Sequence, residues 1–310
     1  MYKQIAILGA GTIGSSWASF FASKGLDVRV FDNDLKTRKK AEEHINEQLT
    51  AMHENGLITD DAFAKSQISY HIVDTLDTLL DGADYIQESV IEDYAIKDLV
   101  YREIESLIGA ETIIASSSSG LLITKMQEAL AKPGRSLIAH PFNPPHLIPL
   151  VELVAGEKTE PSTISDVKGF FEALGKTPVV LNKEVPGHIA NRLAAALWRE
   201  ALALVDNDVA SVEDVDKALS AGPGLRWALM GQHMIYDLNG GEGGYENFIT
   251  GIGASFSEYW KTMDDWTEIP DSAKEKAVAG IADFYTDKTQ ADWLEWRDDK
   301  LMKILKILNE

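Results

Sequence analysis

Residues 5–14 read IAILGAGTIG, a short apolar run that breaks into the pattern G-x-G-x-x-G. An apolar stretch with helical spacing follows at once, and residues 27–32 (DVRVFD) predict a second strand that ends on a carboxylate. Gly9 permits a tight turn, Gly11 lets backbone approach a pyrophosphate, and Gly14 lets the helix pack closely on the strand. The stretch therefore predicts a strand–turn–helix–strand unit that binds a dinucleotide at the helix N-terminus.

The end of the predicted second strand bears on which dinucleotide is bound. Asp32 lies about 18 residues after Gly14, the spacing at which an acidic residue accepts hydrogen bonds from the adenosine ribose hydroxyls. A carboxylate at this position repels a 2′-phosphate, and the next arginine along the chain is Arg38. The sequence therefore predicts NAD rather than NADP as the cofactor.

Composition limits the classes of partner and location. The 310 residues carry 49 acidic and 29 basic side chains, a formal net charge of −20, which argues against nucleic acid and anionic membranes as partners. The chain has no cysteine, which excludes disulfides and thiolate metal sites, and we expect no metal. It has no apolar run of membrane-spanning length, and its first strand leaves no room for a signal peptide. We expect a cytoplasmic protein.

Apolar periodicity predicts strands alternating with helices over roughly the first 180 residues, which is typical of a parallel sheet covered on both faces. After the first two strands, the predicted extended segments are residues 67–72, 84–87, 112–115, 137–139, 147–154 and 178–181. The longer predicted helices are residues 35–55, 91–107 and 162–174.

The pattern changes at residues 184–187 (EVPG), beyond which we find only helical periodicity. The predicted helices are residues 189–207, 212–219, 226–236, 245–263, 272–286 and 291–308, with a glycine-rich loop at 238–244. We therefore predict an α/β protein with two domains. A Rossmann-type, doubly wound NAD-binding domain occupies residues 1–185, and an all-α substrate-binding and dimerisation domain occupies residues 186–310.

Four polar residues are candidates for the chemistry. Ser119, His140 and Glu152 fall at or near the ends of predicted strands, and Asn191 opens the helical region. Ligands of open α/β sheets gather at the carboxyl ends of the strands. A histidine base, a carboxylate that orients it, and hydroxyl or amide groups can remove a proton while hydride leaves for nicotinamide.

Motifs in matching order and spacing along nearly the whole chain resemble the 3-hydroxyacyl-CoA dehydrogenase superfamily. Besides the glycine pattern with Asp32, they are ESVIE at 88–92 before Lys97, ASSSSG at 115–120, HPFNP at 140–144, Val151-Glu152, and PGHIANR at 186–192. The resemblance implies a Rossmann domain, a helical C-terminal domain and a homodimer formed through the latter.

The resemblance also implies roles for individual residues. His140 would be the general base and Glu152 its orienting partner, with Ser119 and Asn191 as further catalytic residues that hold the substrate oxygen. Glu92, Lys97 and Asn143 would line the cofactor site with Gly9, Gly11, Gly14 and Asp32. The chain departs from the usual family pattern in its serine run, and His188 replaces a phenylalanine common after Pro-Gly.

A second block, GPGLRWA at residues 222–228, resembles the branch that contains carnitine 3-dehydrogenase and λ-crystallin/L-gulonate 3-dehydrogenase. Members of that branch act on free 3-hydroxy acids. We expect the glycines to end one helix and to let the next begin with Arg226 near its positive end. Arg226 would there bind a substrate carboxylate, with Trp227 packing beside it.

Three functions remain open on the sequence. The first is an NAD-dependent dehydrogenase of a small free 3-hydroxy acid, carnitine-like or gulonate-like. The second is a 3-hydroxyacyl-CoA dehydrogenase. The third is a non-catalytic, λ-crystallin-like protein with a vestigial NAD site, which the four catalytic-type residues weaken.

Overall fold

The computed structural model describes residues 2–284 and 288–308. They form two compact units: residues 2–192 with 299–308, and residues 193–284 with 288–298. The first unit has an eight-stranded sheet with helices between its strands, and the second unit is helical, as the sequence predicts. The predicted domain boundary between residues 185 and 186 stays a prediction.

The strands are β1 (Gln4–Leu8), β2 (Asp27–Phe31), β3 (Tyr70–Ile72), β4 (Tyr85–Glu88), β5 (Ile113–Ser116), β6 (Ser136–Pro141), β7 (Leu150–Ala155) and β8 (Thr177–Leu181). They pair in the order β3-β2-β1-β4-β5-β6-β7-β8. All neighbours are parallel except β6 and β7, which are antiparallel. The expectation of a wholly parallel sheet is therefore wrong at this pair. A loop of only eight residues joins the two strands, too short for a crossover that would make them parallel.

The helices before the second unit are α1 (Thr12–Ser23), α2 (Leu35–Glu54), α3 (Asp60–Ser69), α4 (Leu76–Leu80), α5 (Tyr94–Glu105), α6 (Ile123–Met126) and α7 (Pro161–Ala173). The prediction of a strand over residues 67–72 is wrong in its first half, because α3 continues to Ser69. The Thr59 hydroxyl accepts a hydrogen bond from the N–H of Ala62 and so caps the start of that helix. Only Tyr70–Ile72 pair with β2.

Apolar residues bury both faces of the sheet. Ile5 and Ile7 of β1 belong to one core cluster, and Ala6 and Leu8 belong to the other, as the two-residue period of a strand requires. In the first cluster Trp17 stacks on Phe21 with ring centroids 5.3 Å apart. Full burial of one such side chain contributes roughly 1.5–3 kcal/mol, so these rings fix α1 against the sheet.

The loop between β6 and β7 is tied to its surroundings by polar contacts. The buried ammonium group of Lys176 donates hydrogen bonds to the carbonyl oxygens of Pro145 and Ile148. Ser16 on α1 accepts a hydrogen bond from the N–H of His146 (2.9 Å). These contacts hold the loop against α1 and the residue before β8.

The remaining helices are α8 (Ala190–Asp206), α9 (Val212–Ala221), α10 (Pro223–Trp227), α11 (Gln232–Asn239), α12 (Gly244–Thr250), α13 (Phe256–Trp260), α14 (Asp271–Phe284) and α15 (Gln290–Leu308). Two long predicted helices are wrong. Residues 226–236 divide between α10 and α11, and residues 245–263 divide between α12, a 3₁₀ turn and α13. The predicted loop at 238–244 is partly helical, and residues 285 and 286 of the predicted helix 272–286 lie outside the described residues. Within the described part of the chain, no helix combines the length and the apolar character that crossing a membrane requires.

Candidate active site

The glycine-rich turn between β1 and α1 adopts the geometry that its sequence predicts. Gly9 has φ +95°, and a Cβ there would lie 2.6 Å from the carbonyl oxygen of Ser89. A Cβ on Gly14 would lie 1.8 Å from the carbonyl oxygen of Gly9, so only glycine lets α1 begin this close to the strand. A Cβ on Gly11 would meet nothing within 4 Å, so this glycine faces open space.

This turn fits a dinucleotide. Gly11 is the N-cap of α1 and has no side chain to accept from the first N–H groups of the helix, which remain available to an anion. At the end of β2, the two carboxylate oxygens of Asp32 accept hydrogen bonds from the N–H groups of Ala10 and Asp34, each at 2.9 Å. The turn thus holds an acidic group beside an anion-binding helix end.

The antiparallel pair β6–β7 brings together two of the predicted catalytic residues. His140 and Glu152 are directly opposite each other in the register. His140 Nδ1 lies 2.8 Å from Glu152 Oε2, and the two residues are only 6% and 1% exposed. An ionised carboxylate can only accept, so Nδ1 carries a hydrogen, and in the neutral ring the lone pair is then on Nε2.

The second oxygen of Glu152 accepts from the chain just before α8. Glu152 Oε1 lies 2.7 Å from the N of Ile189 and 2.9 Å from the N of Ala190. Burial alone raises the pKa of the Glu152 carboxyl, but the hydrogen bonds from His140 and from these two N–H groups outweigh burial and bring the pKa below its ordinary value. Glu152 therefore stays ionised at neutral pH.

The serine run after β5 folds around Glu92. Glu92 Oε1 accepts from the Ser118 hydroxyl (2.6 Å) and from the N–H groups of Ser119 and Gly120 (both 2.9 Å). Burial raises the pKa of Glu92. These donors and the charge of Lys97 lower the pKa by more than burial raises it, so the net shift is downward. Glu92 therefore fixes the loop that carries Ser119, which is exposed.

Lys97 lies beneath this loop and is 1% exposed. Its Nζ is 2.6 Å from Glu88 Oε1 and 3.8 Å from Glu92 Oε2. Glu88 is itself buried and also accepts from the hydroxyls of Tyr101 (3.0 Å) and Ser116 (2.6 Å). Lys97 thus pairs with two carboxylates, and its role in lining the cofactor site stays a prediction.

Contacts through immediate neighbours link the predicted catalytic residues. Asn191 follows Ala190, whose N–H binds Glu152, and Ser119 follows Ser118, whose carbonyl oxygen lies 3.0 Å from His188 Nε2. The His188 ring centroid is 5.0 Å from that of His140. Asn143 is exposed in the loop that follows β6.

His188 is the residue at this site to which the sequence assigned no role. It is 2% exposed and has φ +50°, a backbone region that non-glycine residues seldom occupy. The signal was present in the sequence as the histidine that replaces a phenylalanine after Pro-Gly.

Arg226 and Trp227 belong to the second unit. The helix α10 begins at Pro223, and Arg226 lies in its last turn, so the expectation of Arg226 near a helix N-terminus is wrong. Proline is well suited to the first helical position, because an N–H group there has no partner within the helix and proline has none to leave unpaired. Pro223 thus starts the helix three residues earlier than expected. Arg226 is exposed, and Trp227 Nε1 donates to Gln232 Oε1.

Two family models match the chain. The model for the NAD-binding domain of 3-hydroxyacyl-CoA dehydrogenase matches residues 4–185, and the model for the C-terminal domain of the same enzyme matches residues 187–280. The chain belongs to the 3-hydroxyacyl-CoA dehydrogenase family. It is therefore an NAD-dependent oxidoreductase that acts on CH–OH groups, and the predictions of NAD and of the family are confirmed.

Individual relatives of this dehydrogenase match along nearly the whole chain. It is 36% identical to an L-carnitine dehydrogenase of Streptomyces griseus over 98% of this chain and 89% of that one, and 34% identical to one of Oceanobacillus iheyensis over 99% of both. A solved structure of 5-formyl-3-hydroxy-2-methylpyridine 4-carboxylic acid 5-dehydrogenase, described as an NAD⁺-dependent dismutase, is 31% identical with a TM-score of 0.84, covering 99% of this chain and 97% of that one.

The position of Asp32 predicts how this dehydrogenase discriminates between cofactors. We expect kcat/KM for NAD to exceed that for NADP by at least about tenfold, because the 2′-phosphate meets a carboxylate. Asp32→Asn removes the charge and should narrow the ratio. Asp27→Asn, at the opposite end of the same strand, makes the same charge change and should leave the ratio unaltered. Equal use of NAD and NADP by the unmodified enzyme would contradict the assignment.

Proposed function

We propose that this protein oxidises the 3-hydroxyl group of a small free 3-hydroxy acid, carnitine-like or gulonate-like, to the 3-keto acid. The observation that carries the proposal is the buried pair of His140 and Glu152, in which Glu152 is kept ionised by the N–H groups of Ile189 and Ala190. Such a pair holds an imidazole in one tautomer with an unprotonated nitrogen available for a substrate hydroxyl.

The proton then has a defined route. As the hydroxyl of the substrate is oxidised, its proton passes to His140 Nε2, and the imidazolium that forms is stabilised by Glu152 at 2.8 Å from Nδ1. NAD, when bound, accepts the hydride from the carbinol carbon. In the reverse direction His140 returns the proton to the carbonyl oxygen.

The other predicted site residues complete the proposal. Ser119 and Asn191 hold the substrate oxygen. Each follows a residue with a hydrogen bond at the site: Ser118 to His188, and Ala190 to Glu152. The residues proposed to bind the cofactor are Gly9, Gly11, Gly14, Asp32, Glu92, Lys97 and Asn143. The turn supports this most directly, because Gly11 leaves the first N–H groups of α1 open to an anion and Asp32 is tied to Ala10 of the same turn.

A free acid is favoured over an acyl-CoA by the chemistry that the relatives' names describe. L-Carnitine is a 3-hydroxy acid with a free carboxylate, and the solved relative is named for a pyridine 4-carboxylic acid. We propose that Arg226 binds the substrate carboxylate, directly or through water, with Trp227 beside it. A guanidinium can bind a carboxylate through two parallel hydrogen bonds, whereas a thioester offers no charge to pair with it.

We also propose a homodimer formed through the helical region. The amphipathic helix α8 leaves Leu193, Leu197 and Trp198 between 39% and 68% exposed in the single chain, and an apolar face of this kind is commonly buried against a second copy.

Replacement of the base tests the proposed chemistry. His140→Gln should lower kcat by about 10²–10⁴ while NADH affinity stays near normal, since the variant removes only the proton acceptor. Glu152→Gln should also lower kcat, because it loosens the imidazole and removes stabilisation of its cation. His44→Gln, an exposed histidine on α2, is the matched control and should be unaffected. A folded His140→Gln protein that keeps most of its activity would show that another group is the base.

A substrate panel of 3-hydroxy acids and 3-hydroxyacyl-CoAs, which includes L-carnitine and L-gulonate, tests the substrate class. We expect Arg226→Met to raise KM for the best 3-hydroxy acid by roughly 10–100-fold, the loss expected for a charge-assisted contact of about 1.5–3 kcal/mol. NADH affinity should barely change, and Arg102→Met, exposed on α5, serves as the control.

Two results would overturn the substrate assignment. If Arg226→Met binds the acid normally, Arg226 does not hold the carboxylate. If the unmodified enzyme prefers acyl-CoAs to every free acid in the panel, the acyl-CoA activity takes the place of the one proposed.

A further inference from the structure

His188 occupies the turn that joins β8 to α8 and is held there against its backbone preference. Its φ of +50° is a conformation that residues with a side chain seldom adopt, and it persists only where the surroundings hold it. The following two N–H groups, of Ile189 and Ala190, bind Glu152, and the side chain of His188 is buried beside His140. The turn therefore directs its backbone N–H groups to Glu152 and the His188 side chain to His140.

The protonation state of His188 follows from its partners. Nε2 lies 3.0 Å from the carbonyl oxygen of Ser118, and a carbonyl oxygen only accepts, so Nε2 carries a hydrogen. Nδ1 is buried and has no hydrogen-bond partner among the residues that the structure describes. A proton on Nδ1 would thus create a buried N–H group with no acceptor and a buried positive charge, so the neutral ring is favoured.

The surroundings of the His188 ring also favour its neutral form. Burial lowers the pKa of His188, and a charge on His140 of β6 lowers it further, whereas the bond to Ser118 and the carboxylates of Glu152 and Glu92 raise it; the net shift is downward. With ring centroids 5.0 Å apart, repulsion between two imidazolium charges makes a second imidazolium less favourable than the first.

We propose that His188 is a positioning residue that stays neutral, donates from Nε2 to Ser118 so that the serine loop is held beside the base, and leaves His140 as the ring that takes the substrate proton. This inference rests on the proposed role of His140. It adds that the two neighbouring histidines are not interchangeable, because in the described part of the chain His140 alone of the two has a carboxylate at hydrogen-bond distance to stabilise its cation.

Two variants with the same backbone strain separate hydrogen-bond donation from packing. His188→Gln retains a side-chain N–H donor, and His188→Phe retains a ring but has no donor. If the hydrogen bond from His188 to the Ser118 carbonyl matters, kcat/KM should fall only about twofold in His188→Gln. It should fall about tenfold or more in His188→Phe, because that variant leaves the Ser118 carbonyl unpaired. Packing alone predicts the reverse order, and that order would overturn the proposal.

The charge assignment is tested by long-range ¹H–¹⁵N NMR of the histidine rings in the full-length protein, a measurement that does not depend on turnover. We expect His188 to carry its hydrogen on Nε2 and to remain uncharged at neutral pH. In His140→Gln, the pH midpoint for protonation of His188 should rise, because the variant removes the neighbouring charge, and His44→Gln should leave it unchanged.

A hydrogen on Nδ1, or a midpoint that does not respond to His140→Gln, would overturn the proposal for His188. Retained activity in His140→Gln would instead remove the base on which it rests, while the NMR coupling would still be observed. The two failures are therefore distinguishable.

Discussion

The antiparallel pairing of β6 with β7 is the constraint on which the site depends. It places His140 directly opposite Glu152, so the two side chains leave the same face of the sheet and meet at hydrogen-bond distance. A shift of the register by one residue would send Glu152 to the other face. The loop between the strands is fixed by Lys176 and Ser16, so the fold determines the geometry of the proposed base before any ligand binds.

A buried carboxylate is costly unless its oxygens are satisfied, and the effective penalty is several kcal/mol per ion. Glu152 offsets this cost with three donors: one imidazole N–H and two backbone N–H groups at the start of α8. The same contacts fix the turn that carries His188. Glu92 has a parallel role in the serine loop, where one carboxylate oxygen accepts from several donors. Two carboxylates thus organise the loops around His140, and the sheet supplies their rigid support.

The sequence predicted most reliably those features that depend on local steric requirements. The glycine pattern before α1 marks close backbone approaches that only glycine permits, and the helices α2, α7 and α15 follow from long apolar periodicity. The direction of β7 was harder to predict, since the apolar pattern of residues 147–154 fits a parallel or an antiparallel strand equally well. The short loop before β7 decides between them. Arg226 was misplaced because the proline at position 223 starts the helix earlier than the glycines suggested. The position of His188 depends on a left-handed turn and on contacts that span 37 and 70 positions of the chain, which no local pattern records.

The most direct test of this account is the location of the hydrogen on the His140 ring. Long-range ¹H–¹⁵N NMR of the unliganded protein at neutral pH, with the His140 signals assigned by their loss in the His140→Gln spectrum, reports which nitrogen is protonated. The account predicts a hydrogen on Nδ1, shared with Glu152, and an unprotonated Nε2 that can accept the hydroxyl proton. A ring with its hydrogen on Nε2 and a bare Nδ1 facing Glu152 would contradict it, because Glu152 would not orient the base and the available nitrogen would face away from the substrate.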